Sequence, residues 1–220
     1  MSAHRKLRLG VLASGSGSNL QSIIDRCAES SIDAEIVVVI SNVPGAGALA
    51  RAEQAGIPAV LIDHRTFAGR ADFDQAVVAA LQSAAVELVV LAGFMRLISE
   101  PFLAAFPERI INIHPALLPA FPGLHVQKKA LEAGARFSGC TVHFVDGGVD
   151  TGPIIIQAVV PILEDDDEES LSARILFQEH QIYPRAIQLL AQGRVRIDGR
   201  RVRITGLVGS EGVLVNPPLQ

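Results

Sequence analysis

The feature that most constrains this chain is a rhythm of aliphatic runs. "LRLGVL" (7–12), "AEIVVVIS" (34–41), "PAVLID" (58–63), "ELVVLAG" (87–93) and "RIINIH" (109–114) are bounded by Gly, Ser and Asn, and helical patterns near 19–28, 46–55, 71–84 and 99–106 separate them. Near-continuous Val, Ile and Leu, without apolar–polar alternation, marks strands buried on both faces. Such strands alternating with helices fold as a parallel sheet covered on both sides, and the right-handed rule for crossovers makes it doubly wound. Ligands of open sheets of this kind gather at the carboxyl ends of the strands.

After residue 114 the rhythm changes. A Pro-rich loop (115–123), a short helix near 124–133 and two strands, "GCTVHFVD" (139–146) and "GPIIIQAVV" (152–160), read as an antiparallel extension of the sheet. The acidic run "EDDDEES" (164–170) reads most simply as a solvated linker, with Glu168 and Glu169 favourable near a helix N-terminus and a metal site as the alternative. It leads into a long helix over 170–193 with Ser170 as its expected N-cap, and a small ribbon follows at 195–204. The expected fold class is therefore α/β: a doubly wound, mostly parallel sheet with an antiparallel C-terminal extension.

Composition narrows the partners. With 220 residues, 49% of them hydrophobic, the chain can bury a substantial core. A formal net charge of -4 gives no global basic field for nucleic acid, so small molecules are the expected partners. Two cysteines, Cys27 and Cys140, are too few for a disulfide framework, and the N-terminal apolar stretch is too short for a signal peptide or a membrane span. A cytoplasmic location is expected.

Two places carry candidate chemistry. In "LGVLASGSGSNLQSII" (9–24), Gly15, Ser16, Gly17, Ser18 and Asn19 lie between the first strand and the first helix, where unpaired N–H groups and the helix dipole favour an anion. The dinucleotide fingerprint fails: its third glycine position holds Leu20, and the second strand ends in Ser41-Asn42, without an acid for a ribose. The Walker pattern lacks its Lys. What remains is a pocket for one phosphate monoester, with a Gly/Ser turn capped by Ser or Asn as the plainer alternative.

The second place is the end of the fifth strand. Alternation puts Asn112 and His114 on one face, Pro115 ends the strand, and Asp150 follows in "DGGVDTGPI" (146–154). An amide and an imidazolium side by side are donors for a developing oxyanion, and a nearby carboxylate favours the charged ring. No G-x-S-x-G elbow is present, and Cys27 and Cys140 fall in a helix and a strand, so the attacking group has to come from a substrate. His143 and His125 invite a zinc reading with His114, but the ligand spacings of zinc sites are missing and no metal is expected.

"SGSGSNLQSII", "LAGFMRLIS", "NIHPALLPAFPGLH", "TVHFVDGGVDTGPIIIQ" and "QEHQIYP" occur in the order found in the phosphoribosylglycinamide formyltransferase family, which the chain resembles over roughly residues 6 to 193. The resemblance implies transfer of the formyl group of 10-formyltetrahydrofolate, a co-substrate, to the amine of glycinamide ribonucleotide in purine biosynthesis, without a metal. It divides the chain into a formyltransferase domain, 1–193, and a ribbon and tail, 194–220. Within the domain, residues 1–108 form the nucleotide-binding portion and residues 109–193 the folate and catalytic portion. By the same resemblance Gly17, Ser18 and Asn19 hold the substrate phosphate and Glu179 the ribose. Asn112, His114 and Asp150 are the catalytic trio, working through a tetrahedral intermediate. Arg70, Met95, Arg96, Leu97, Ile98, Asn112, Val145 and Asp146 contact the folate.

Ala116, Gln127 and Leu176 depart from residues common at those positions in the family. Relatives acting on tRNA would add a basic C-terminal domain and folate deformylases an N-terminal regulatory one; a ligand-binding regulator without turnover is the rival from another class. The tail "LVGSEGVLVNPPLQ" (207–220) is expected to pack on the sheet or on a second subunit, making a homodimer an expectation.

Overall fold

A computed structural model of the chain describes residues 5–206 together with Leu214 and Asn216. The expectation for the tail otherwise lies outside the described residues. In chain order the elements are β1 (Leu7–Ala13), α1 (Ser18–Ala28), β2 (Ala34–Ser41), α2 (Gly47–Gln54), β3 (Ala59–Leu61), α3 (Arg70–Ser83), β4 (Leu88–Leu91) and α4 (Glu100–Ala105). Then come β5 (Ile110–His114), α5 (Val126–Glu132), β6 (Phe137–Phe144), β7 (Ile154–Pro161), α6 (Glu168–Ala191) and the hairpin β8 (Val195–Asp198) and β9 (Arg201–Ile204). Seven strands form one sheet in the order β3-β2-β1-β4-β5-β6-β7. The first five strands run parallel, while β6 is antiparallel to β5 and β7 to β6. This is the doubly wound sheet with an antiparallel extension that the aliphatic runs predict. Among the described residues no helix is long and apolar enough to cross a membrane.

Strand alternation feeds two cores. Leu9, Val11 and Ala13 of β1, Leu88 and Val90 of β4, and Ile111 and Ile113 of β5 pack against α1 and α6. Leu12, Val89, Leu91 and Ile110 face the other way, onto Phe73, Val77 and Leu81 of α3 and onto Phe102 of α4. Helix α4 is short, with Pro101 in its first turn, so this second layer ends close to Ile110. Asn112 and His114, the next residues on that face, therefore meet a cavity where a helix would otherwise cover them. Behind them the hydroxyl of the fully buried Tyr183 lies 2.9 Å from Leu91 O and 3.2 Å from Ile111 O, its one proton shared between them, which ties β4 to β5 near the strand ends.

The long C-terminal helix differs from expectation at its start. It begins at Glu168, and Asp167 is the N-cap, accepting from the Ser170 N–H (2.8 Å) while Ser170 Oγ accepts from the Asp167 N–H (3.0 Å). Ser170 is thus the fourth member of a reciprocal capping box and not the cap itself, because Asp167, three residues upstream, accepts the Ser170 N–H with a charged oxygen and starts the helix earlier. The acidic run is also more than a solvated linker. Asp166 accepts two bonds from Arg174 (2.6 and 2.8 Å), and that guanidinium holds the Asp166 carboxyl well below the usual carboxylate range.

Candidate active site

The strand order reverses between β1 and β4, which opens a crevice at their carboxyl ends. The three strands beside it are stitched together by one serine. Ser14 Oγ donates to Asn42 Oδ1 (2.6 Å) and accepts from the Met95 N–H (2.8 Å), and the Ser14 N–H donates to Gly93 O (2.9 Å). The loops after β1, β2 and β4 therefore share one wall.

The glycine loop follows directly. Gly17, and not Ser or Asn, is the N-cap of α1; it sits in the left-handed region at φ 74°, and no side chain caps the helix. A Cβ there would come within 2.7 Å of the Ala48 Cα, so both the backbone angle and the approach of α2 require glycine. Because no side chain takes the first N–H groups of α1, they stay available to an anion. Ser18 and Asn19 open the helix, but the Asn19 side chain turns inward: its Nδ2 donates to Glu179 Oε2 (2.7 Å), and both residues are buried. Burial pushes the Glu179 carboxyl up, partly opposed by the Asn19 amide. Asn19 Oδ1 is buried with no hydrogen-bond partner among the described residues, which leaves an acceptor waiting beside a carboxylate.

At the end of β5 the expected trio converges, with additional members. His114 Nδ1 lies 3.4 Å from Asp150 Oδ2, and the Gly123 N–H donates to that same oxygen (2.9 Å). His114 Nε2 faces the Phe121 carbonyl at 2.9 Å. Both ring nitrogens thus look at oxygen atoms, one of a carboxylate and one of a backbone carbonyl. Asp150 has φ 54°, an uncommon backbone state for a non-glycine residue, and is held in it by these contacts.

The sequence reading missed what His143 does here. Its Nδ1 faces Phe144 O (2.8 Å), burial pushes its imidazole down, and a neutral ring that donates from Nδ1 offers a lone pair at Nε2. The Asn112 Nδ2 lies 3.3 Å from that Nε2. In that tautomer the amide nitrogen is the partner that fits, while Asp150 Oδ1 lies 3.7 Å from the same Nε2. The signal was present in the register, since β5 and β6 pair Asn112 with His143, but register becomes readable only once the antiparallel pairing is known.

The cavity in front of this cluster has a volume of about 480 Å³. Asn112, His114, His143 and Asp150 form one end of it, and every folate contact expected from the sequence lines it. Met95 and Leu97 supply exposed apolar rim, while Arg96 lies over the Phe73 ring with Cζ 4.9 Å from the centroid. Arg70, at the start of α3, is half exposed and 3.9 Å from the buried Asp74. Val145 and Asp146 come from the loop after β6, but Asp146 mainly organises that loop, its Oδ1 accepting from the Gly148 N–H (3.1 Å) and Thr151 Oγ1 (2.5 Å). Gln127 lines the same cavity, Ala116 lies buried behind it, and Leu176 is on α6 one turn before Glu179.

An open α/β sheet carrying a small-anion loop at one strand end and an amide, imidazole and carboxylate at another defines a class, and sequence comparison identifies which one. The family profile described as "Formyl transferase" matches residues 7–187, and the chain belongs to that family. Its relatives include phosphoribosylglycinamide formyltransferases: that of Escherichia coli (strain K12) is 41% identical over 212 residues, 93% of this chain and 100% of that protein. The trifunctional purine biosynthetic protein adenosine-3 of Drosophila melanogaster is 55% identical over 199 residues, 90% of this chain. The chain spans 15% of that protein's length. Among solved structures, the crystal structure of glycinamide ribonucleotide transformylase 1 from Symbiobacterium toebii superposes with a TM-score of 0.90 and 55% identity, covering 92% of this chain and 95% of that one.

Proposed function

We propose that the chain transfers the formyl group of 10-formyltetrahydrofolate to the amine of glycinamide ribonucleotide, a step of purine biosynthesis. The observation that carries this reading is the convergence of Asn112, His114 and Asp150 on one cavity, with a loop of bare N–H groups at the end of β1, two strands across the sheet.

In this reading the helix N-terminus behind Gly17 takes the phosphate, and Ser18 and Asn19 contribute their N–H groups. The paired Glu179 and Asn19 take ribose hydroxyls, which supply the donor that Asn19 Oδ1 lacks. A pterin lies against the β4–α4 loop and Val145, while Arg70 and Arg96 suit carboxylates at the other end of the folate. The amine attacks the formyl carbon directly, in keeping with the lack of an enzyme nucleophile in the cluster. Asn112, oriented by His143, directs its second N–H at the oxygen that becomes an oxyanion. For His114 to join it, the ring exchanges its Phe121 acceptor for that oxygen, a swap worth about 1 kcal/mol before the charge develops. Asp150 stabilises the imidazolium and sits where it can order a water for proton movement between the amine and N10.

The test is an absorbance assay for release of tetrahydrofolate in the presence of glycinamide ribonucleotide, with Asn112→Ala beside the parent chain. Turnover that requires both substrates and falls in the variant supports the reading. Tight binding of both ligands with no asparagine-dependent turnover makes the chain a regulator.

A further inference from the structure

A glycine-rich turn has no rigidity of its own. Ser16 lies between Gly15 and Gly17, and such a segment can rotate its peptide planes so that the N–H groups face away from an anion. Two contacts from α2 remove that freedom. The Ala48 N–H donates to Gly15 O (3.1 Å), and Arg51 Nε donates to Ser16 O (2.8 Å). In a trans peptide the carbonyl and the following N–H point in opposite directions. Gripping these two consecutive carbonyls from the α2 side therefore aims the N–H groups of Ser16 and Gly17 away from α2.

Arg51 is itself held in place. Its Nη1 donates to Gln21 Oε1 (3.0 Å) on α1, so one guanidinium spans the loop and the helix that follows it. The packing leaves no slack, because a Cβ on Gly47 would lie 2.9 Å from Ser16 O. A charged donor on a carbonyl also polarises the whole amide and makes the N–H at its other end a better donor.

We infer that Arg51 is a positioning residue for the phosphate loop: through the Ser16–Gly17 peptide it fixes the N–H groups that receive the ribonucleotide, and it sets that substrate's affinity without entering the chemistry. The inference rests on the proposed role of the loop, and its test separates the two.

The full chain is compared with Arg51→Met and Arg51→Lys in steady-state kinetics with both substrates. Arg51→Met should raise the KM for glycinamide ribonucleotide about tenfold while kcat and the folate KM stay within about twofold. Arg51→Lys, which keeps a cation able to reach one carbonyl, should recover some of the loss. An unmoved ribonucleotide KM, or a fall in kcat alone, overturns the inference. Thermal shift with inorganic phosphate against chloride at equal ionic strength reads the loop without turnover: phosphate should stabilise the parent more than either variant. Equal shifts in parent and variants overturn the assignment of Arg51 even if the parent proves inactive with the ribonucleotide, a result that would itself sink the proposed reaction. Arg51→Lys serves as the deciding variant if Arg51→Met does not fold.

Discussion

The two strand ends that make this site are built from different materials. The loop after β1 offers backbone N–H groups aimed by a glycine in the left-handed region and by its packing against α2. The cluster after β5 offers side chains: an amide oriented by a neutral imidazole, and a second imidazole between a carboxylate and a carbonyl. A backbone site recognises charge and size and is indifferent to which side chains surround it, provided the turn keeps its shape. A side-chain site can place a proton or stabilise a transient charge, but each member depends on its neighbour's protonation state. Binding and chemistry are thus divided between two strand ends, and substitutions should divide the same way.

The largest expected effects are at β5. Asn112→Ala removes an oxyanion donor, and Asp150→Asn removes the charge facing His114; each should lower kcat about a hundredfold to a thousandfold. The ribonucleotide KM should stay within about threefold, because the loop after β1 is untouched. Steady-state kinetics with each substrate varied in turn checks this, and a matching rise in ribonucleotide KM would break the division.

Gly17→Ala should show the reverse. Its Cβ meets Ala48 and its φ of 74° is strained for alanine, so a stability loss of about 1–2 kcal/mol should accompany a ribonucleotide KM raised by more than about tenfold. In the folded variant kcat should change little. Thermal melts together with the same kinetic scheme test both halves.

His143 sharpens the comparison from the catalytic side. His143→Gln retains an acceptor near Asn112 and should cost about threefold in kcat, whereas His143→Phe should cost about tenfold. Because burial pushes this imidazole down and keeps it neutral, neither change should move the acidic limb of the pH–rate profile. A displaced limb would mean that His143 titrates during turnover.

How much of this was legible in the sequence follows from the same division. The strands β1, β2, β4 and β5 announce themselves as aliphatic runs because parallel strands are buried on both faces, and the loop after β1 because glycine spacing is a local property. Asn112, His114 and Asp150 could be picked out one by one. Their wiring could not, since the His143–Asn112 contact depends on antiparallel register and the Phe121 and Gly123 contacts depend on how a proline-rich loop folds back. The cap of α6 differs from the expected Ser170 for a related reason: Asp165, Asp166, Asp167 and Ser170 are all suitable caps by residue type, and the fold pairs Asp166 with Arg174 while Asp167 takes the Ser170 N–H. Arg51, on a helix of ordinary composition, carries no motif at all.

The remaining substitution is the most diagnostic, because it sets stability against binding at one residue. Glu179 is a carboxylate with 6% of its surface exposed, and burial pushes its pKa up. A group with a raised folded pKa contributes stability that is fully present below its unfolded value, about 4.3 for glutamate, and lost as the pH climbs through the folded value. At neutral pH the burial of this carboxyl therefore opposes folding, eased by the Asn19 bond. Glu179→Gln should melt higher than the parent at neutral pH, with the gap closing as the pH is lowered toward about 4. The same variant should bind glycinamide ribonucleotide about tenfold more weakly, since an amide accepts hydroxyl donors less strongly than a carboxylate. Gaining stability while losing affinity is what is expected of an acid kept buried for a ligand. A variant that melts lower at neutral pH with an unchanged ribonucleotide KM would instead make Glu179 a structural partner of Asn19, and the ribose contact would have to lie elsewhere.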